Sequence, residues 1–233
     1  MTLSLLFIIG ELLLLYFVSR RITSVLFTVF SFIFNSRQLA ITILTILYFP
    51  GTVIHELAHL IVAEVLRVPT GEITFLPTVS GMKNKEIKLG SLQIAECDPL
   101  RRYLIGFAPI FFGVFFLSLI IWLFNQYFSS ITELPLKIIC IVLIGYGLFS
   151  ISNNMFSSRK DLEGFIFFVP VLLIVATAFY FSGFTIPINS QFLALLQVMS
   201  ARISQVLLIV LGCNFGLLLL NGLVLKSLWR LRR

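Results

Sequence analysis

Charge is what this sequence has least of: Asp, Glu, Lys and Arg make up 12% of 233 residues, against 59% hydrophobic. A soluble domain of that size cannot hide so much apolar surface. The scarcity excludes an ordinary water-soluble enzyme and makes lipid the solvent, in line with a mean hydropathy of +1.06. Cysteine is scarce too. Cys97, Cys140 and Cys213 lie far apart, which excludes a disulfide framework or a Cys-x-x-Cys metal site and leaves three packing residues. No basic residue precedes the apolar run from Leu3 to Val18 and no small-residue cleavage site follows it, so a retained span is expected. Internal repeats and long linkers are absent. The formal charge of +7 does not imply a nucleic-acid partner. The basic residues gather at the ends of apolar runs, where proteins embedded in a lipid bilayer carry them.

A helix rises about 1.5 Å per residue, so about 20 apolar residues cross roughly 30 Å of hydrocarbon. Seven segments qualify, at about 3–18, 22–35, 39–66, 103–127, 136–157, 164–182 and 201–226. The first two are short and suit a tilted or partly buried hairpin; merged into one span, they would put the N-terminus inside and leave the rest of the orientation unchanged. The expected fold is an all-α polytopic membrane protein of six to seven transmembrane helices. It divides into an N-terminal transmembrane hairpin (1–37), a membrane core (38–165) and C-terminal transmembrane helices (166–233). Pro50-Gly51 should kink the third segment. With the N-terminus outside and strict alternation, only Arg37, Lys137 and Arg202 of the 17 Lys and Arg fall outside. That arrangement puts the C-terminus in the cytoplasm. The brevity of the chain and its few cysteines point to a prokaryotic plasma membrane. Residues 68–100 break the pattern with two alternating runs, Glu72 to Leu76 and Glu86 to Ile94, around a polar turn at 80–85. They predict a small β-hairpin or sheet on the cytoplasmic face.

The chain has two histidines, and both fall in His55-Glu56-Leu57-Ala58-His59. Positions i and i+4 share a helix face, so both imidazoles can reach one metal ion, with Glu56 beside them to take a proton from water. Such residues are costly in an apolar helix and are tolerated mainly for function. Zinc suits this set, and a catalytic zinc takes three protein ligands and one open position. For the third ligand, Glu64 lies about 180° around the helix from His55 and faces away. Asp98 and Glu96 are possible, and Asp161, after Asn153-Asn154-Met155-Phe156-Ser157-Ser158, is the better candidate.

These residues resemble the site-2 proteases, intramembrane zinc metalloproteases whose first motif is His-Glu-x-x-His in a membrane helix. Their second motif, Asn-x-x-Pro-x-x-x-x-Asp-Gly, lies two spans later and supplies the third ligand. Asn153 and Asp161 have that motif's separation, while Phe156 stands for its proline and Leu162 for its glycine. Ala108-Pro109 and Gly113 in the intervening span also resemble the family core. The likeness covers roughly 39–165 and implies a minimal member without a PDZ domain. It implies one zinc on His55, His59 and Asp161, and Glu56 as the catalytic base. Asn153, and Asn154 beside it, would hold the substrate, a membrane protein with a transmembrane helix. Two other functions are open: a proteolytically inactive scaffold of the same fold, suggested by the degenerate second motif, and a metal transporter. The transporter is disfavoured because the other spans offer almost no ligands at successive depths.

Overall fold

The computed structural model describes residues 2–75, 90–156 and 190–231, with short pieces between 170 and 182. Its first element corrects the expected hairpin over 1–37. Residues 2–34 form one helix, α1 (Thr2–Phe34), of 33 residues. The Arg20-Arg21 pair reads as a boundary in the sequence, but arginine is a good helix former. No glycine or proline lies between Gly10 and Asn35 to interrupt the backbone. The chain turns at Asn35, which takes the left-handed φ of 49°. Ser36 then caps α2 (Arg37–Val65) by accepting from the Leu39 amide at 3.3 Å. At the other end of α2, Arg67 adopts φ 55°. The Val68 amide there donates to the Ala63 carbonyl and the Arg67 amide to Glu64, a Schellman closure.

A two-stranded antiparallel sheet follows, β1 (Thr70–Thr74) with β2 (Ser91–Ile94), in the register Ile73 to Leu92 and Thr74 to Ser91. The expected runs overlap these strands, and the expected turn at 80–85 lies outside the described residues. Asp98 caps α3 (Pro99–Tyr127), which ends in a 3-10 turn at Phe128–Ser130 before α4 (Leu134–Asn154). The last element, α5 (Ser190–Leu231), is continuous over 42 residues.

Among the described residues five helices are long and apolar enough to cross a bilayer, not six or seven. The difference comes from the fusion of the first two segments, and the expected span at 164–182 lies largely outside the described residues. Large apolar side chains such as Phe7, Phe17, Phe111 and Leu223 face outward, as expected where the solvent is lipid.

Helix α1 lies antiparallel to α2 and parallel to α5. Ile22 and Leu26 pack with Leu44, Tyr48 and Leu218, while one end of α1 meets α5 through Glu11, which accepts from Ser204 Oγ at 2.6 Å. Further along, Ser19 Oγ donates to the Asn153 carbonyl at 2.9 Å, and Asn153 Nδ2 donates to Asn214 Oδ1 at 2.9 Å. The start of α1, the end of α2 and the start of α5 therefore share one end of the bundle. This corrects the expected path, in which the N-terminus lay opposite the site opening and the C-terminus beside it. The N-terminus lies at the end where α2 finishes, and the C-terminus lies opposite. Lys226 and Arg230 consequently join Arg37 and Lys137 at the far end, which weakens the expected one-sided count of basic residues.

Candidate metal centre

The site is built around two prolines. A proline has no N–H to give the carbonyl four residues earlier, so each one inside a helix leaves an acceptor without its usual donor. In α2, Pro50 leaves the Ile46 carbonyl, and the Tyr146 hydroxyl of α4 donates to it at 2.9 Å. One turn further along α4, Ser150 Oγ accepts from the Gly51 amide at 2.8 Å. One turn beyond that, Asn154 Nδ2 donates to the Tyr48 carbonyl at 3.1 Å. Tyr146, Ser150 and Asn154 thus form one polar stripe that holds the kinked part of α2. The helices approach so closely that a Cβ on Gly51 would run into the Ser150 carbonyl.

In α3, Pro109 leaves the Ile105 carbonyl, and here the donor is His59 Nδ1, at 2.9 Å. That bond places the ring proton on Nδ1 and leaves the lone pair of His59 on Nε2. His59 Nε2 lies 3.2 Å from His55 Nε2, with the two rings nearly perpendicular at 87°. His55, Glu56 and His59 are 4%, 5% and 6% exposed, so the motif faces into the bundle and not toward lipid.

This donor set fits zinc. With zinc–nitrogen lengths of roughly 2.0–2.1 Å, two ligands of a tetrahedron stand about 3.3 Å apart, close to the Nε2 separation found here. A ligand histidine that donates its other ring N–H to a backbone carbonyl is the arrangement that fixes tautomer and orientation in metal sites. Glu56 lies beside this pair with a backbone close against it. A Cβ on Gly90 would come within 2.9 Å of Glu56 Oε1, 2.7 Å of Thr52 Cγ2 and 3.1 Å of the Thr74 carbonyl. The chain entering β2 therefore crosses the Glu56 carboxylate, and a side chain at position 90 would press on Glu56, Thr52 and the Thr74 carbonyl.

Compared with family models, with curated proteins and with solved structures, the chain shows no match.

The remaining expected residues fall as follows. Asp161 lies outside the described residues, as does Glu163. Among the described residues no third imidazole, thiol or carboxylate joins the two histidines in a metal-sized group. Asp98 and Glu96 thus do not complete the pair: Asp98 caps α3 and pairs with Arg101 Nε at 3.1 Å. Glu64 is exposed on the far side of α2, as its helical position requires.

Asn153 and Asn154 point to different partners. Asn154 is engaged with α2. Asn153 joins Ser19 of α1 and Asn214 of α5, and Asn214 Nδ2 also donates to Ser152 Oγ at 3.0 Å. Phe156 is buried and meets the Tyr16 ring edge-on at 5.7 Å, so this position packs α4 onto α1. Helix α4 stops beside Gly113, where a side chain on the glycine would collide with Met155. Helix α4 accordingly ends inside the bundle, where Asn154 meets Tyr48 and Thr52, the latter about one turn before His55 on α2. Sequence reading missed Tyr146, Ser150, Gly90 and the use of the Ile105 carbonyl. The carbonyl at Ile105 and the one that Tyr146 meets, Ile46, each left a signal, a proline four residues later.

Proposed function

We propose that this chain is an intramembrane zinc metalloprotease of the site-2 type, hydrolysing peptide bonds within or near transmembrane segments of membrane-protein substrates. The observation that carries the reading is His59, whose Nδ1 is anchored on the Ile105 carbonyl while its Nε2 faces His55 in a buried pair. His55 and His59 would hold the metal, with Asp161 as the third ligand that the resemblance implies. Zinc, when bound, supplies a Lewis acid that polarises the scissile carbonyl and makes water a stronger acid. Glu56 takes the proton as the water oxygen bonds to the carbonyl carbon, and returns it to the amine nitrogen as the carbon–nitrogen bond breaks. The α2–α3 side chains exclude bulk water, which strengthens each of these interactions. The β1–β2 sheet is rooted beside Glu56 through Gly90 and Thr74, and its edge offers an extended substrate a place to pair.

The bundle end that holds the site opening is proposed to be cytoplasmic. The α2–α3 connection and the start of α3 hold Arg67, Lys83, Lys85, Lys88, Arg101 and Arg102, against Arg37, Lys137, Lys226 and Arg230 toward the opposite end.

The decisive experiment is metal content. Purified wild type should hold about one zinc per chain, and His59→Ala and Asp161→Ala should lose it or bind it far more weakly. Zinc retained in Asp161→Ala would move the third ligand elsewhere. Wild type that takes up no zinc would sink the protease reading in favour of the scaffold. A zinc-loaded wild type that cleaves a membrane substrate, beside a silent Glu56→Gln, would establish it.

A further inference from the structure

Arg20 sits in the middle of α1, and its Nε and Nη2 atoms are buried without a hydrogen-bond partner among the described residues. The guanidinium carbon lies 5.5 Å from the centre of the Tyr16 ring. A cation over a ring face gains electrostatic attraction, but the N–H groups in the guanidinium plane stay unused. Nε–H and Nη2–H form one edge of that plane, two parallel donors spaced to meet both oxygens of a carboxylate. Two such donors shielded from solvent and left unmade are expensive, more so in a bundle surrounded by lipid. A leucine or methionine at this position would avoid the cost.

The neighbours of Arg20 set its depth. One residue earlier, Ser19 bonds the Asn153 carbonyl; four earlier, Tyr16 meets Phe156; three later, Thr23 lies 3.1 Å from the Tyr48 hydroxyl. Arg20 therefore stands at the level where α4 ends, between Phe156 and Tyr48. His55 is seven residues beyond Tyr48, about 10 Å along α2. A polypeptide lying across the histidine pair would pass within a few residues of this edge.

We propose that the Nε/Nη2 edge of Arg20 receives a carboxylate of the substrate polypeptide, and so selects segments with an acidic group at a set distance from the scissile bond. The inference rests on the protease reading and names the substrate class for that site. The carboxylate has two sources, an Asp or Glu side chain within the segment or the C-terminal carboxylate of a substrate chain.

The test uses the purified full chain in liposomes and quenched fluorescent apolar peptides of about 20 residues, long enough to span. One Asp or Asn is stepped along the peptide, and each peptide is made with a free and an amidated C-terminus. Binding is read on Glu56→Gln and cleavage on wild type. One Asp register should bind about tenfold tighter than its Asn twin, the size expected for a shielded, charge-assisted pair. Arg20→Gln should erase that preference, Arg20→Glu should turn it toward a Lys peptide, and Arg20→Lys, which keeps charge but loses the fork, should retain only part of it. A preference that follows the free C-terminus instead assigns the second source. Equal binding of every carboxylate peptide and its neutral twin, or a preference that survives in Arg20→Gln, would overturn the proposal. Selective binding without cleavage by wild type would sink the protease reading alone and leave the carboxylate site standing.

Discussion

Pro50 and Pro109 create the same defect in two helices, and the bundle uses it in opposite ways. At Pro50 the freed carbonyl of Ile46 takes a hydroxyl from α4, so a break in the backbone becomes a clasp between helices. At Pro109 the freed carbonyl of Ile105 takes an imidazole N–H from α2, so the break becomes the support of His59, the proposed metal ligand. In lipid a backbone acceptor without a donor has no water to turn to, so a neighbouring side chain must supply the bond. Which side chain does so depends on what faces the proline. The two regions differ also in what surrounds them: Pro50 lies in a stripe of tyrosine, serine and asparagine, whereas the Ile105 carbonyl has His59 against a small cluster of Ala63, Val68 and Ile105.

The sharpest way to break the comparison is at its closest approach. Gly51→Ala places a methyl group against the Ser150 carbonyl, a backbone atom that cannot swing aside. Overpacking of this kind costs about 1–3 kcal/mol and can exceed that where backbone must shift. A fall of that size in resistance to thermal or denaturant unfolding in detergent is expected, with the Tyr146, Ser150 and Asn154 bonds weakened together. Unchanged stability would mean that α2 and α4 are not clasped at this point.

How much of this was legible in the residues can be judged element by element. Periodicity alone put His55 and His59 on one helix face with Glu56 beside them and turned Glu64 outward, because the angle per residue is fixed whatever the helix packs against. The sheet was legible from alternation on both sides of a polar turn. The continuity of α1 was not, since Arg20-Arg21 has the composition of a helix end while its backbone propensity favours continuation. The direction of α5 was hidden for a related reason: it depends on tertiary pairs such as Glu11 with Ser204, which no local pattern encodes. Asn153 and Asn154 look equivalent in sequence, yet 100° of helical rotation sends one to α5 and the other to α2.

The second way to sharpen the comparison is to repair each proline. Pro109→Ala returns an N–H to the Ile105 carbonyl, which then competes with His59 Nδ1. Outer partners of metal ligands are worth about 10–100-fold in metal affinity, so zinc should bind more weakly by that factor while helix α3 stays folded. Pro50→Ala makes the same repair where no ligand depends on it, and should leave zinc affinity unchanged. Competition with a metal-sensitive dye measures both. Equal effects from the two variants would show that the prolines act through general helix bending and not through the carbonyl each one frees.

The smallest expected effect isolates the clasp itself. Tyr146→Phe removes one hydroxyl and keeps the ring, leaving the Ile46 carbonyl, on the lipid-facing surface of the bundle, without that donor. Hydrogen bonds between helices in membranes average about 0.6 kcal/mol and reach about 1.7 kcal/mol. The loss should fall in that range, because the orphaned acceptor has no solvent to compensate it. Combining Tyr146→Phe with Pro50→Ala decides whether the carbonyl is the cause. Once alanine supplies the missing N–H, the hydroxyl becomes dispensable, and the double variant should lose less stability than the two single changes summed. Simple additivity would mean that Tyr146 stabilises α4 through its ring packing alone, and that the parallel with His59 at Pro109 does not hold.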